Sequence, residues 1–155
     1  MDKLKRIELE PTHLAWLAEN LRLADEADLK PSFECMLKNM PTGFFSCPAG
    51  TEIISEGEPG TDLYIVYSGR LAVTRTKGHV SPIMLGELAK GDFFGEISFL
   101  VHSARSATVK AMTECSLFKF KASTFAELME KTAALASSIK KTARARLEKI
   151  FLGQL

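Results

Sequence analysis

The sequence has 155 residues, a length that suits one domain with its own hydrophobic core and leaves little room for a second. Hydrophobic residues make up 46% and charged residues 25%, as in ordinary globular proteins, and no apolar run approaches the roughly 18 residues that a membrane-spanning helix needs. The net charge is only +1, but the C-terminal segment is basic. A solvated helix face explains this basic segment better than a contact with nucleic acid or a membrane.

The cysteine pattern argues against a disulfide framework and against a cysteine-rich zinc site. Cys35, Cys47 and Cys115 are widely spaced, odd in number and form no CxxC pair. We therefore expect them to be small buried hydrophobes in a reducing cytoplasm. No metal or cofactor is predicted.

Residues 1–42 are predicted to form an N-terminal helical segment. A first helix is expected to start at Pro11-Thr12, because apolar residues then recur at helical spacing. A second short helix would be capped by Ser32. The apolar faces of the two helices comprise Leu14, Leu17, Ala18 and Leu21, and Phe33, Met36, Leu37 and Met40.

Residues 43–121 are predicted to form an all-β sandwich or barrel. Short apolar stretches alternate with glycine-marked turns such as Pro48-Ala49-Gly50 and Lys90-Gly91-Asp92, a spacing that is typical of a sandwich or barrel. In the last predicted strand, Phe118 and Phe120 should face one side and Leu117 the other.

Residues 122–155 are predicted to form two C-terminal helices. Thr124 and Glu127 have the spacing of a capping box, and Thr132 is the expected start of the final long helix. The apolar face of that helix would comprise Leu135, Ile139, Ala143, Leu147 and Ile150.

Residues 93–109 contain a pattern that indicates a binding site for an anionic ligand. A strand should end at Gly95, a short helix should start near Ile97, and its free N–H groups would favour an anion such as phosphate. Arg105, on the far side of the same loop, offers a guanidinium suited to phosphate oxygens. Glu96 could accept hydrogen bonds from sugar hydroxyls. Taken alone, the same residues could form a structural Glu96–Arg105 ion pair.

Three runs of sequence resemble the cyclic-nucleotide-binding domain family, and they cover roughly residues 33–152. The resemblance implies an eight-stranded β-roll (a double-stranded jelly roll) with N-terminal helices and two C-terminal helices, which binds a cyclic nucleotide and is not an enzyme. The most specific run is the phosphate-binding cassette, residues 95–107. The runs are Phe94-Gly95-Glu96-Ile97-Ser98-Phe99-Leu100 with Ala104-Arg105-Ser106-Ala107-Thr108-Val109, then Ile54 to Gly69, then Leu88 to Glu96.

The resemblance also implies a role for individual residues. Glu96, with the backbone of Gly95, would bind the ribose 2′-hydroxyl, and Arg105 would pair with the phosphate oxygens. The final helix would close over the base through Arg146 and Phe151, with Ile150 beside them. The remaining ligand-binding residues are Ile97, Ser98, Ser106 and Ala107 around the phosphate, and Leu85 and Leu88 near the base.

Two positions bear on the ligand. Ala104 stands where the family often has proline, so we expect a less preorganised loop and weaker binding. The Ser106 hydroxyl could assist a syn guanine, but one hydroxyl discriminates only modestly. We favour cAMP over cGMP, with a cyclic dinucleotide as an alternative ligand.

Two other classes of protein compete with a regulatory sensor. An enzyme with a cupin-like core would need a ligand set, yet His13, His79 and His102 lack metal-ligand spacing, and a solvent-exposed loop is expected for His102. A catabolite-activator-type DNA-binding regulator would need a recognition helix, and no helix-turn-helix is visible.

The output of the domain is an expectation that the sequence leaves open. Ligand binding should reposition the final helix, which an unknown effector protein or domain would read. The chain is either a stand-alone sensor or a segment of a larger signalling protein. Ala133, Ala134, Ala136 and Ala143 allow close helix approach and so are compatible with a homodimer through the final helix, although helix propensity alone also explains these alanines.

Overall fold

The computed structural model describes residues 4–20, 43–131 and 133–153. These residues form a β-roll between helices, as the sequence predicts. Nine strands and four helices are described; in chain order they are β1 (Lys5–Arg6), α1 (Pro11–Asn20), β2 (Phe44–Cys47), β3 (Glu52–Ile54), β4 (Leu63–Ser68), β5 (Leu71–Arg75), β6 (Ile83–Leu88), β7 (Phe93–Phe94), α2 (Glu96–Val101), β8 (Thr108–Ala111), β9 (Cys115–Phe120), α3 (Ala122–Lys131) and α4 (Ala133–Gly153).

Two antiparallel sheets build the roll. The five-stranded sheet has the order β1-β2-β9-β4-β7, and the four-stranded sheet has the order β3-β8-β5-β6. Strands β2 to β9 all lie within residues 43–121, which confirms the predicted eight-stranded roll. Strand β1 was not predicted, because a strand of two residues is too short to show an alternating pattern.

Strand β9 separates two apolar layers. Phe118 and Phe120 point to the layer between the five-stranded sheet and the helices, where they meet Phe125. Cys115 and Leu117 point to the layer between the two sheets. The predicted alternation of this strand is therefore confirmed. Both faces of the strand are buried, so the two layers fix its register.

The N-terminal helix α1 begins at Pro11, as predicted, and buries Leu14 and Leu17 against the five-stranded sheet. Its residue Asn20 donates a hydrogen bond of 3.5 Å to the carbonyl of Gly91. The predicted second helix at residues 32–40 lies outside the described residues, as does Leu21.

Two C-terminal helices are present, as predicted, but their details differ. Helix α3 begins at Ala122, and the Phe125 N–H donates to the carbonyl of Lys121, so Thr124 lies inside the helix and the capping-box prediction is wrong. In α4, Leu135, Ile139 and Ala143 are buried as expected, whereas Leu147 is 42% exposed because the helix leaves the core before this turn. Thr132 lies outside the described residues.

No helix in the described part of the chain is long and apolar enough to cross a membrane. The helix–roll–helix division at residues 42/43 and 121/122 stays a prediction, although the change from helix to strand and back occurs within the described residues close to both positions.

Candidate ligand-binding site

A cavity of about 260 Å³ lies between β6, the cassette and helix α4. Ten of the eleven residues predicted to bind ligand line it. The side chain of the eleventh, Phe151, is outside the described part of the structure. The ten are Leu85, Leu88, Gly95, Glu96, Ile97, Ser98, Arg105, Ser106, Ala107 and Arg146.

Gly95 is required by the backbone at the entry to the cassette. Its φ of 91° is a left-handed conformation that L side chains rarely adopt. A Cβ atom on Gly95 would lie 2.5 Å from the carbonyl oxygen of Asp62 and 2.9 Å from Nη1 of Arg105. Glycine therefore allows both the turn into α2 and the close approach of Arg105. Helix α2 starts at Glu96, one residue before the predicted start.

Arg105 is 6% exposed, and its guanidinium is fixed by three neutral oxygens. Nη1 donates to Ser98 Oγ at 2.7 Å and to the Gly95 carbonyl at 3.3 Å, and Nη2 donates to the Asp62 carbonyl at 3.0 Å. The turn after β3 also packs on it, since a Cβ atom at Gly60 would lie 3.1 Å from Arg105 Nε. The glycine-marked turn and the cassette, which are far apart in sequence, thus hold one side chain.

The charge of Arg105 has no close counter-ion. Among the described residues, no carboxylate lies within ion-pair distance of it, so the alternative of a structural Glu96–Arg105 ion pair is wrong. Burial lowers the pKa of Arg105, and the nearby Tyr64, Asp62 and Glu96 oppose that shift. A buried cation with neutral partners is stabilised when an anion enters beside it.

Glu96 pairs instead with Arg146 of helix α4. The Glu96 carboxylate is 2% exposed, and its Oε2 lies 2.7 Å from Arg146 Nη1. The same Nη1 donates to the Phe93 carbonyl at 2.6 Å, and the guanidinium carbon lies 5.7 Å from the centre of the Phe93 ring. Arg146 therefore joins the long C-terminal helix to the first residues of the cassette.

Strand β6 and helix α4 supply the lining outside the cassette. Leu85 and Leu88 of β6 and Ile150 of α4 are apolar, and Glu87 and Lys149 add charged groups. Sequence reasoning missed several further lining residues. Strand alternation shows which face a residue is on, but it does not show that the residue borders a cavity. Two of the missed residues are outside the strands, since Asp92 lies between β6 and β7 and Lys149 lies on α4. The missed residues are Ile54, Val73, Gly86, Glu87, Asp92, Phe94, Val109 and Lys149.

The described residues offer no alternative metal centre, since no three His, Cys, Asp or Glu groups among them come close enough to hold an ion. His102 is exposed, as expected, and ends α2 with a φ of 52°. Ala143, one of the alanines proposed for a dimer contact, is buried in the core of its own chain, whereas Ala133 and Ala134 are exposed.

Comparison with known proteins agrees with this geometry. The family model of the cyclic nucleotide-binding domain matches residues 44–132. A cyclic nucleotide-gated potassium channel of Rhizobium etli is 39% identical over 64% of this chain and 26% of its own length. A cAMP-dependent protein kinase regulatory subunit of Neurospora crassa is 37% identical over 53% of this chain and 20% of its own length.

An uncharacterised NTE-family protein of Mycobacterium tuberculosis is 35% identical over 59% of this chain and 15% of its own length. The chain thus spans about a quarter or less of each of these curated relatives.

Solved structures share the fold. The catabolite activator protein of Thermus thermophilus has a TM-score of 0.63 at 28% identity, over 71% of this chain and 52% of that one. The regulatory domain of Toxoplasma gondii protein kinase A, crystallised with cAMP, has a TM-score of 0.69 at 23% identity, over 86% of this chain and 49% of that one.

Proposed function

Because this chain belongs to the cyclic nucleotide-binding domain family, we propose that its cavity binds cAMP in preference to cGMP and that binding repositions helix α4. The observation that carries the proposal is Arg105, a buried cation that lines the cavity with only neutral hydrogen-bond partners. The domain would act as a regulatory sensor without catalysis of its own, and an effector protein or domain would read the position of α4.

The cyclic phosphate would bind at the Arg105 end of the cavity. Arg105 supplies a fixed positive charge there, and a charge-assisted hydrogen bond to a phosphate oxygen is about twice as strong as a neutral one. Ala107 lines the same cavity, and its N–H donates to no protein acceptor within the described residues. These two groups suit the single negative charge of a cyclic mononucleotide.

The ribose 2′-hydroxyl would bind to Glu96. An ionised carboxylate has about four acceptor positions, and Arg146 reaches only Oε2. The carboxylate is buried, so a hydroxyl that reaches it meets little competition from water.

The preference for cAMP rests on the apolar side chains among the residues that line the cavity. Ile54, Val73, Leu85 and Ile150 offer no hydrogen bonds to a base. Guanine carries both a carbonyl and an amino group outside its rings, whereas adenine carries one amino group, so guanine loses more hydrogen bonds with water on burial. The Neurospora crassa relative is named for its dependence on cAMP, which supports the same choice.

The direct test is calorimetric titration with cAMP, cGMP and cyclic di-GMP. We expect cAMP to bind most tightly and Arg105→Ala to weaken that binding by about 100-fold, as loss of a buried charge-assisted contact implies. Arg144→Ala is the matched control, since Arg144 is an exposed arginine that does not line the cavity.

Each titration outcome has a defined meaning. If no cyclic nucleotide binds, or if Arg105→Ala binds as well as the Arg144→Ala control, the assignment of the site is wrong. Tighter binding of cGMP or of the dinucleotide would keep the site and overturn the choice of ligand. Thermal unfolding of Arg105→Ala without ligand shows whether the variant is folded.

The movement of α4 would follow from its attachment to the cassette. Arg146 contacts both Glu96 and the Phe93 carbonyl, so a nucleotide that binds Glu96 changes the partners available to Arg146. A ligand shifts an equilibrium between two helix positions by its difference in affinity for them. We expect the distance between spin labels at Lys110→Cys and Lys140→Cys, both exposed positions, to change on cAMP addition.

Arg146→Ala should abolish most of that change in distance, and Arg144→Ala should preserve it. The labels are placed in a Cys35→Ser background, and the remaining cysteines, Cys47 and Cys115, are buried. An unchanged label distance on saturation with cAMP would contradict the repositioning of α4 but not the binding site.

A further inference from the structure

We propose that Arg75 is a positioning residue for the nucleotide phosphate: it holds the loop between α2 and β8, residues 102–107, from the side opposite the ligand. This inference rests on the proposed function. Arg75 ends β5, does not line the nucleotide cavity, and has a guanidinium that reaches the loop backbone.

Arg75 is an unusual residue to bury. It is 9% exposed, and its Nη1 donates a hydrogen bond to the Ser106 carbonyl. Its Nε is buried without a hydrogen-bond partner, and within the described residues no carboxylate lies at ion-pair distance. A buried cation loses hydration that its hydrogen bonds must replace, so an apolar residue would stabilise the fold better at this position. A positioning role explains why an arginine is buried here, since its guanidinium donates a hydrogen bond to the Ser106 carbonyl.

The planarity of the peptide bond makes this contact directional. In a trans peptide the carbonyl of one residue and the N–H of the next point in opposite directions. Arg75 draws the Ser106 carbonyl toward itself, so the Ala107 N–H points away from Arg75. Ala107 is buried and lines the nucleotide cavity, and its N–H has no acceptor among the described residues. The bond thus directs a free donor toward the position of the phosphate.

Other hydrogen bonds hold the backbone of the preceding residue, Arg105, but they do not hold the Ser106–Ala107 peptide. The Gly57 N–H donates to the Arg105 carbonyl at 2.8 Å, and the Arg105 N–H donates to the Glu58 carbonyl at 2.9 Å. Within the described part of the chain, the Ser106 carbonyl accepts a hydrogen bond only from Arg75.

The loop separates the nucleotide cavity from a second cavity of about 620 Å³. Arg75 lines this second cavity, and Arg105 and Ser106 border both cavities. Because open space lies behind the loop, packing alone does not prevent the Ser106–Ala107 peptide from rotating. Arg75 reaches across this space to the loop.

The test combines three Arg75 variants with cAMP titration. Arg75→Gln should weaken cAMP binding about tenfold, the factor that loss of one hydrogen bond from a charged group implies. Arg75→Lys, which keeps a cationic donor, should lose less. Adding Ala104→Pro to Arg75→Gln should restore part of the affinity, because proline restricts the loop and the Ala104 N–H donates no hydrogen bond among the described residues. Lys110→Gln, at an exposed site on β8, is the control for loss of one charge.

Two further measurements separate positioning from folding. The amide resonance of Ala107 should shift on cAMP addition in the wild type and shift less in Arg75→Gln. Thermal unfolding of the ligand-free variants measures stability directly. If the losses of affinity follow the losses of stability, and proline restores neither, Arg75 is only a structural residue and the inference is overturned.

Titration of Arg105→Ala in the same series separates this inference from the proposed function. Wild-type affinity in Arg75→Gln together with weak binding in Arg105→Ala would refute the role of Arg75 alone. Wild-type affinity in Arg105→Ala would refute the phosphate site itself.

Discussion

The two ends of the nucleotide cavity are built in different ways. At the phosphate end, Arg105 is 6% exposed and is held by oxygens from the cassette and from the turn before β4. At the lid end, which we define as Arg146, Lys149 and Ile150, all three side chains come from a single helix. The Arg146 side chain is 28% exposed.

The difference shows how one cavity can combine tight binding with a response. Groups fixed by several elements bind a ligand without reorganisation, which favours affinity. Groups on one helix, attached through few contacts, can change position when the ligand arrives. We therefore expect substitutions at the phosphate end to change affinity most, and substitutions at the lid end to change the movement of α4 most. Three predictions test this contrast, and another tests the apolar layer between the two sheets on which the cavity is built.

Gly95→Ala should have the largest effect. A Cβ atom there meets the Asp62 carbonyl at 2.5 Å in addition to the strain of a φ of 91°, so we expect destabilisation of about 3 kcal/mol and loss of measurable cAMP binding. Gly50→Ala is the matched control, because Gly50 has a φ of 90° and open space around it. Urea unfolding and titration of both variants check the prediction, and equal effects at the two glycines would contradict it.

The apolar layer between the two sheets, which contains Cys47, should lose stability at high pH. Burial raises the pKa of Cys47 to about 11. The folded protein therefore holds the thiol proton more tightly than the unfolded chain, and this stabilisation is complete below about pH 9 and is lost as the pH rises toward 11. We expect a loss of about 2 kcal/mol in the free energy of unfolding. The same pH series on Cys47→Ala should be flatter, and identical slopes would contradict the prediction.

Glu96→Gln should weaken cAMP binding about tenfold, because an amide is a weaker acceptor than a carboxylate for the ribose hydroxyl. The variant keeps the size of the side chain. A ligand without the hydroxyl, 2′-deoxy-cAMP, isolates the contact. Wild type should strongly prefer cAMP over this analogue, and Glu96→Gln should prefer it much less. An unchanged ratio of the two dissociation constants would show that Glu96 does not bind the ribose.

Arg146→Ala should have the smallest effect on affinity, about threefold to fivefold, since the Arg146 side chain is 28% exposed and one hydrogen bond from it to the ligand would contribute only about 1 kcal/mol. Titration measures the affinity, and the label distance described above measures the helix. A loss of affinity as large as that in Arg105→Ala would contradict the expectation that the phosphate end determines affinity more than the lid end does.

Much of the fold could be predicted because local sequence patterns indicate where each strand and turn lies. The alternation of Leu117, Phe118 and Phe120 reflects a strand with two buried faces, and the glycine-marked turns separate the strands. The predicted capping box at Thr124 is wrong because it depends on only two residues, Thr124 and Glu127. Helix α3 begins earlier, at Ala122, and Phe125 is buried in the core.

The residues predicted for the phosphate end all line one cavity, and their roles in ligand binding stay predictions. Gly95, Glu96 and Arg105 lie in one short segment, so their spacing along the chain reflects their arrangement in space. Arg75 and Lys149 were missed, because nothing near them in sequence relates them to the cassette. Arg75 reaches Ser106, which is 31 positions away along the chain.

The sequence by itself determined the helix–strand–helix order and an all-β middle segment of short strands, since these depend on side-chain periodicity and on glycine-marked turns, whereas the eight-stranded roll and the cassette were implied by the family resemblance. Tertiary structure alone decided which charges meet. Glu96 pairs with Arg146 and not with Arg105, and Arg105 is left with neutral partners. The physical reason is that ion pairs and cavities arise where distant segments pack together, and their formation depends on burial and distance, which local sequence does not specify.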